Sequence, residues 1–172
     1  MHGHGIEPNL DDAIGWFNKA ASLGEGRAFY ALGEMQEHGI GTRVNKLEAT
    51  ELYKKAAKIG DPSAQLKLAK MFLREFEEKS LMNHDFSVSV SESLVIADNH
   101  KIALRLFKQA AHAGLPEAIT QLGHIYETGG YEDDQTGLFY PLVRKNWETA
   151  QKYYMQAAHL GDEGGMNFYG AF

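Results

Sequence analysis

Histidine is the residue type in this sequence best suited to holding a metal ion, and the chain contains eight of them. His2 and His4 lie between glycines near the first residue. His112 and His159 occupy equivalent positions of a repeated segment, where other copies carry serine or lysine, and this is typical of a solvated helix face. No His-Glu-x-x-His spacing is present. The sequence therefore predicts no metal centre and no cofactor.

Three further motifs could carry chemistry, and each has a simpler interpretation. The run Glu132-Asp133-Asp134 lacks the spacing of a calcium loop, so it predicts a solvated acidic loop. Alternate serines in 87–93 are either sites for phosphorylation or part of a polar loop. Gly39-Ile40-Gly41 follows no strand and indicates a turn between helices, not a phosphate cradle. Because no nucleophile, base and orienting group recur together, we expect no enzyme.

Composition narrows the classes of partner and compartment. The chain has 172 residues and a formal net charge of -6, from 23 acidic and 17 basic residues, so nucleic acid is a poor match as partner. It has no cysteine, which excludes disulfides and cysteine zinc sites and is compatible with a reducing compartment such as the cytoplasm. No apolar run reaches the length of about 18 residues that a transmembrane helix needs, so we expect no membrane insertion by this segment.

An internal repeat supplies the elements that must position these side chains. Residues 13–24, 49–60, 103–114 and 150–161 each contain alanine, an aromatic residue four positions later, Ala-Ala and a closing glycine. A second block follows three of the copies, with alanine and then Leu-Gly or Leu-Ala four residues on. We call the two predicted elements the Ala-Ala helix and the Leu-Gly helix. Recurrence at a fixed period is the signature of a helical repeat protein.

The spacing inside each block is that of an α-helix. Ala13, Phe17 and Ala20 stand at i, i+4 and i+7, which places them on one helical face. Small residues on such a face allow two helices to approach closely, and a glycine after the last turn suits a left-handed helix end. The pattern predicts helices over residues 10–23, 26–38, 46–59, 62–78, 99–113, 116–128, 146–160 and 163–172.

The combined pattern resembles the Sel1-like repeat family, a relative of the tetratricopeptide repeats. The copy that matches best contains Leu32-Gly33, Gly39-Ile40-Gly41, Val44, Ala49, Tyr53 and Lys55-Ala56-Ala57. Gln36 departs from the tyrosine of the family motif, whereas Phe72 and Tyr126 restore an aromatic residue. The resemblance implies an all-α fold, a right-handed α-solenoid of antiparallel helix pairs. It also implies a protein–protein interaction scaffold or adaptor.

Two insertions interrupt the repeat, near residues 75–99 and 129–145. Both follow a Leu-Gly helix and precede an Ala-Ala helix, so we expect them on the same edge of the stack. Residues 86–93 alternate like a strand or form a polar loop, and the apolar residues Leu138, Phe139, Tyr140 and Leu142 should fold back on the stack. We interpret residues 1–172 as a single Sel1-like repeat domain, a segment of a longer solenoid.

The resemblance places the binding surface on the Leu-Gly helices, which line the concave face in the tetratricopeptide repeats. Side chains offset from the core leucines Leu32 and Leu68 should turn into that groove. This selects Arg27, Tyr30, Glu34, His38, Leu66, Lys70, Arg74, Thr120, His124 and Glu127. The basic members indicate a protein or peptide partner with an acidic or carboxylate group. Two alternatives remain open: an enzyme whose active site is formed at the insertions, and a purely structural spacer.

Overall fold

A computed structural model describes residues 9–82 and 90–169 of the chain, with side chains for residues 9–74 and 98–166. These parts contain eight helices and two short strands: α1 Leu10–Ser22, α2 Gly26–His38, α3 Lys46–Ile59, α4 Pro62–Met82, α5 Val90–His112, α6 Pro116–Thr128, β1 Gly130–Glu132, β2 Phe139–Pro141, α7 Trp147–His159 and α8 Glu163–Tyr169. The predicted all-α class is confirmed. None of the helices described combines the length and apolar content that a bilayer crossing demands.

Three of the Ala-Ala helices, α1, α3 and α7, begin after an asparagine, and all four described Ala-Ala helices are followed by a glycine. Asn9, Asn45 and Asn146 cap α1, α3 and α7, each accepting a hydrogen bond from a backbone N–H three residues later, at 3.3, 3.1 and 2.9 Å. Gly60 follows α3 with φ 107°, in the left-handed region, and Gly24, Gly114 and Gly161 do the same after α1, α5 and α7. The predicted glycine helix ends are therefore confirmed.

The chain divides into two compact units, Met1–Ala64 and Gln65–Phe172. In the described part of the first unit, α1, α2 and α3 enclose a small core of Ala21, Ala28 and Leu32. Phe17, Phe29 and other half-buried apolar side chains surround this core. A stack of an Ala-Ala helix, a Leu-Gly helix and a second Ala-Ala helix thus buries one apolar seam.

The second unit repeats this arrangement with α5, α6, α7 and α8. Its core holds the small residues that the repeat predicts, together with larger apolar residues of α6. These buried side chains include Ala103, Phe107, Ala110, Ala118, Ile119, Leu122, Ala150, Tyr154 and Ala157. The same repeat positions therefore form the core in both units.

The first insertion differs from its prediction because much of it is helical. Helix α4 continues to Met82 and α5 begins at Val90, so the strand or loop expected at residues 90–93 is wrong. Asn99, which aligns with the capping residues Asn45 and Asn146, lies inside α5. The sequence Ser89-x-x-Glu92 reads as a capping box and signals an earlier helix start. Residues 83–89 lie outside the described part of the chain.

The second insertion contains a β-hairpin, which the sequence analysis did not predict. Strand β1 pairs antiparallel with β2, and Tyr131 lies opposite Tyr140. Both tyrosines are buried and their rings stack at 6.3 Å, as the fold-back expectation requires. The expectation is wrong for Phe139, which is 50% exposed, and for Leu138, which is also exposed. Side chains alternate across a strand, so only one face of β2 turns to the helices.

Candidate functional site

A glycine–aromatic contact joins each of two Leu-Gly helices to the Ala-Ala helix that follows it. A methyl group added at Gly33 would lie 2.6 Å from Tyr53 Cε1, and one added at Gly123 would lie 2.5 Å from Tyr154 Cε1. Both distances are far below van der Waals contact, so only glycine admits the ring. These contacts place α2 against α3 and α6 against α7, and so fix the side chains that the Leu-Gly helices present.

The same two tyrosines form hydrogen bonds with carboxylates. The Tyr53 hydroxyl lies 2.7 Å from Glu34 Oε1 and 2.6 Å from Glu37 Oε2, and the Tyr154 hydroxyl donates to Glu127 Oε2 at 2.7 Å. Burial raises the pKa of both phenols, and the bonds to carboxylates raise it further. Each hydroxyl therefore stays protonated and acts as a fixed donor to the Leu-Gly helix.

The residue type at the repeat position of Glu37 and Glu127 varies together with the aromatic residue of the Ala-Ala helix that follows. Glu37 and Glu127 occupy equivalent repeat positions and pair with tyrosines. The equivalent residue of α4 is the buried Leu73, and the equivalent ring of α5 is Phe107, which has no hydroxyl. Sequence comparison of the copies could have found this pairing. It assigns the predicted partner residue Glu127 an internal role.

On α2, the predicted binding residues differ in how freely they face solvent. Arg27 is exposed and its Nη1 donates to Ser63 Oγ at 3.4 Å, while Tyr30 is half-buried with its ring 5.5 Å from that of Tyr53. Glu34 is half-buried and His38 is exposed. Ligand atoms of Glu34, Glu37 and His38 lie within 4.8 Å of one another, a grouping that could hold a cation although both carboxylates also bond to Tyr53.

On α4, one predicted residue is misplaced and two are engaged in ion pairs. Leu66 was expected in the groove but is buried, as is Leu68, so more than one face of α4 is removed from solvent. Lys70 Nζ lies 2.9 Å from Glu117 Oε1 of α6. Arg74 Nε lies 2.5 Å from Asp133 Oδ2, and its Nη1 lies 3.0 Å from Gln135 Oε1.

On α6, the predicted residues also have internal contacts. The Thr120 hydroxyl donates to Asp162 Oδ2 at 2.6 Å, and His124 Nδ1 lies 3.6 Å from Glu127 Oε2. Both Thr120 and His124 remain half-exposed. Non-covalent contacts such as Lys70–Glu117 and Thr120–Asp162 connect neighbouring repeats. Helical periodicity within one repeat copy did not predict these contacts.

Asp133 is a buried carboxylate, so the predicted solvated acidic loop is wrong at this residue. Its Oδ1 accepts backbone N–H bonds from Gln135 and Thr136 at 3.0 and 2.9 Å, and Arg74 holds the other oxygen. Burial alone would raise the pKa of Asp133, but the bond from Arg74 and the two backbone bonds outweigh burial and lower it. The exposed neighbours Glu132 and Asp134 fit the prediction.

The predicted residues fall into two groups, one in each compact unit. Arg27, Tyr30, Glu34 and His38 belong to the first unit, and the remaining six belong to the second. Within the second unit, Lys70 is brought to Glu117 at the start of α6, whereas Arg74 is directed to the hairpin. One continuous groove along all ten residues stays a prediction.

Comparison with known proteins identifies what the repeat is similar to. The Sel1 repeat model matches residues 1–25, 27–61, 92–115 and 116–162, well over half of the chain. The unmatched stretch between residues 61 and 92 contains most of the first insertion. The fold resembles a Sel1 repeat protein from Oxalobacter formigenes, with a TM-score of 0.66, 23% identity, and coverage of 95% of this chain and 100% of that one.

Two relatives match most of this chain within longer proteins. An uncharacterized protein of Neisseria meningitidis is 28% identical over 174 residues, covering 92% of this chain. Chitin synthase regulatory factor 1 of Schizosaccharomyces pombe is 32% identical over 126 residues, covering 73% of this chain. The chain spans only 34% and 24% of the length of these two proteins.

Proposed function

The chain belongs to the Sel1 repeat family, and from this premise we propose that it is a scaffold that binds a protein or peptide segment on its Leu-Gly helices. The family typically consists of protein-interaction scaffolds, a role that generally involves no catalysis. One relative is named as a regulatory factor of chitin synthase, which is in keeping with a role exerted on another protein. The proposed partner is an extended peptide or a surface segment of a protein.

The observation that carries the proposal is the state of the side chains on α2 and α6. Arg27 and His38 are exposed on α2, and His124 is half-exposed on α6. Several of their neighbours are held by internal hydrogen bonds, including Glu34 to Tyr53 and Thr120 to Asp162. A surface whose polar groups are already fixed loses less conformational entropy when a ligand binds.

The charge that we expect of the ligand depends on which basic side chains already have an acidic partner within the protein. Glu117 lies against Lys70, and Asp133 lies against Arg74, so the protein itself balances these two charges. Arg27 contacts the neutral hydroxyl of Ser63. If the ligand carries a carboxylate, we expect Arg27 on α2 to receive it, since a guanidinium binds carboxylates through two parallel hydrogen bonds.

The test is a selection of binding peptides from a random library, followed by affinity measurements on variants. Arg27→Ala and His124→Ala alter the proposed surfaces without removing core residues. Lys58→Ala and Lys108→Ala are matched controls, because both lysines are exposed and lie on Ala-Ala helices. We expect the first pair to weaken binding by roughly tenfold each, the effect of losing one good polar contact, and the control pair to change it little.

Two results would count against the proposal. One is a set of selected peptides whose binding depends on Lys58 and Lys108 instead, which would move the site to the Ala-Ala helices. The other is failure to select any peptide that binds this chain better than an unrelated helical repeat protein. Acidic residues enriched in the selected peptides, and lost from a selection against Arg27→Ala, would support the carboxylate assignment.

A further inference from the structure

Helix α2 carries three side chains with metal-ligand atoms on one of its faces. Glu34, Glu37 and His38 stand at i, i+3 and i+4, the spacing that brings side chains together on a helix. One ligand atom from each of them lies within 4.8 Å of the other two. Two carboxylates and an imidazole suit zinc and related transition-metal ions, whereas calcium and magnesium prefer oxygen atoms alone.

A buried hydroxyl of α3 is directed into the same space. Tyr53 is 1% exposed, and its oxygen lies 2.7 Å from Glu34 Oε1 and 2.6 Å from Glu37 Oε2. A phenol has a single hydrogen, so it donates a short hydrogen bond to one of these carboxylates at a time. Two negative groups are thus held close together around one donor hydrogen, and a cation beside them would relieve their mutual repulsion.

The equivalent positions of α6 show a different arrangement. There Tyr154 donates to a single carboxylate, that of Glu127, and the residue equivalent to Glu34 is His124. The His124 Nδ1 atom lies 3.6 Å from Glu127 Oε2, so one carboxylate meets one hydroxyl and one imidazole. Helix α2 has a second carboxylate in place of that imidazole, and its own imidazole follows Glu37 directly. The additional carboxylate distinguishes α2 from α6.

The end of α2 also favours a cation over a second carboxylate. Gly39 ends the helix in the left-handed conformation, so Glu37 and His38 belong to its last turn. The carbonyl end of a helix is partially negative, which stabilises a cation and disfavours a carboxylate nearby. A bound cation would therefore offset both the helix end and the paired carboxylates.

We propose that Glu34, Glu37 and His38 bind a divalent transition-metal ion such as Zn²⁺, with water completing the coordination. Neighbouring ligand atoms of one zinc ion lie roughly 3–3.5 Å apart, since each bond is about 2.0–2.2 Å long. His38 is exposed, so its ring can turn to close the remaining distance. The Tyr53 hydroxyl would orient the ligating carboxylates from behind. The proposal departs from the sequence-based expectation of no metal centre, and it requires no protein partner.

Calorimetric titration of the full chain with Zn²⁺, after removal of bound metal by a chelator, tests the proposal. His38→Ala removes a ligand at an exposed position, and Glu37→Gln removes a second. We expect each to weaken zinc binding by at least roughly tenfold. His112→Ala is the matched control, because His112 is likewise an exposed histidine in the last turn of a helix. Ca²⁺ and Mg²⁺ should bind more weakly than Zn²⁺, since neither ion suits an imidazole.

Two further measurements separate this site from other causes of zinc binding. Glu37→Gln also alters a bond to Tyr53, so thermal unfolding without metal shows whether that variant keeps its fold. A double variant, His2→Ala with His4→Ala, removes the histidines near the first residue and should bind zinc like the unaltered chain. The proposal is overturned if the chain binds no zinc, if His38→Ala binds it unchanged, if the double variant loses it, or if Ca²⁺ binds as tightly.

Discussion

The smallest residue in the middle of a helix decides how closely two helices meet in this protein. Glycine inside a helix costs about 1 kcal/mol relative to alanine, so Gly33 and Gly123 weaken α2 and α6 considered alone. Their lack of a side chain admits the rings of Tyr53 and Tyr154. The packing of the rings and the part-buried hydroxyl–carboxylate bonds act against the cost of the glycine.

Gly123→Ala should therefore destabilise the protein although alanine is the better helix former. The added methyl group would lie 2.5 Å from Tyr154 Cε1, and the rigid ring must shift. We expect a loss of roughly 1–3 kcal/mol, the usual effect of overpacking, measured by urea unfolding followed by circular dichroism. Gly15→Ala in α1 is the control, since nothing lies within 4 Å of the added atom and alanine should stabilise there. Equal effects at both sites would contradict the ring contact.

The buried carboxylate of Asp133 should make stability depend on pH. Its pKa is lowered from an ordinary value of 3.8 in the folded protein, so the unfolded chain binds a proton more readily. The charged form therefore stabilises the fold above the ordinary pKa, and this contribution is lost as pH falls through the lowered value. We expect Asp133→Asn to cost roughly 1–3 kcal/mol at neutral pH, as for a lost charged hydrogen bond.

That cost should shrink in acid, because Asp133 of the unaltered chain then becomes protonated as well. Unfolding curves of both proteins, recorded from neutral to strongly acidic pH, give the difference directly and cancel the titration of all other groups. A difference that stays constant across this range would show that the charge of Asp133 has no part in stabilising the hairpin.

Among the elements, those that recur were predictable and those that occur once were not. The bounds of α2, α3 and α6 agree with the predicted 26–38, 46–59 and 116–128, because a left-handed glycine closes each of the three helices. The early start of α5 and the β-hairpin arise from inserted sequence, which no second copy helps to interpret. Helical periodicity also predicts which residues share a face of a helix, but not which element packs against that face. For this reason Leu66 was expected in the groove, whereas it lies in the core.

The candidate site was predicted only as a set of positions. Repeat register selected Lys70 and Arg74, yet their partners Glu117 and Asp133 lie 47 and 59 residues away in the sequence. Ion pairs over such separations depend on the folded arrangement of α4, α6 and the hairpin. The sequence therefore indicated candidate positions but not which of their charges the protein already neutralises.

The small residues of the Ala-Ala helices should not tolerate enlargement. Ala110 of α5 is completely buried, so Ala110→Leu must displace a neighbouring helix and should cost roughly 1–3 kcal/mol. Ala113→Leu adds the same side chain at an exposed position just beyond the helix and should change stability little. Thermal unfolding of the two variants compares them, and near-zero loss for Ala110→Leu would mean that α5 makes no close crossing there.

At the scale of the molecule, the two insertions should protrude from one edge of the second unit. They follow α4 and α6, which are equivalent Leu-Gly helices, and His100, midway along α5, lies edge-on to Tyr140 of the hairpin at 6.4 Å. Helix α5 has 23 residues and is therefore about 34 Å long. The part of α5 from His100 to His112, about 18 Å long, separates the hairpin from the turn that follows α5.

Spin labels can measure this arrangement, because the chain has no cysteine of its own. A labelled pair at Ser87→Cys and Asp134→Cys should give a shorter distance than a pair at Ser87→Cys and Ala113→Cys, where the second label lies beyond the far end of α5. Pulsed electron paramagnetic resonance supplies both distances. The reverse order would place the insertions on opposite edges.

The residue pairs that join a Leu-Gly helix to the next Ala-Ala helix also define which segment of the chain can be exchanged, whether by evolution or by design. Gly123 and Glu127 lie on α6, and the ring and hydroxyl that they receive belong to Tyr154 of α7. A Leu-Gly helix and the Ala-Ala helix that follows it must therefore be exchanged together. Recombination at the turns after Gly24, Gly60 or Gly114 keeps these pairs together, whereas a crossover between α6 and α7 can join a tyrosine to a leucine. Chimeras spliced at the first kind of junction inherit a complete interface, and those spliced at the second inherit half of one.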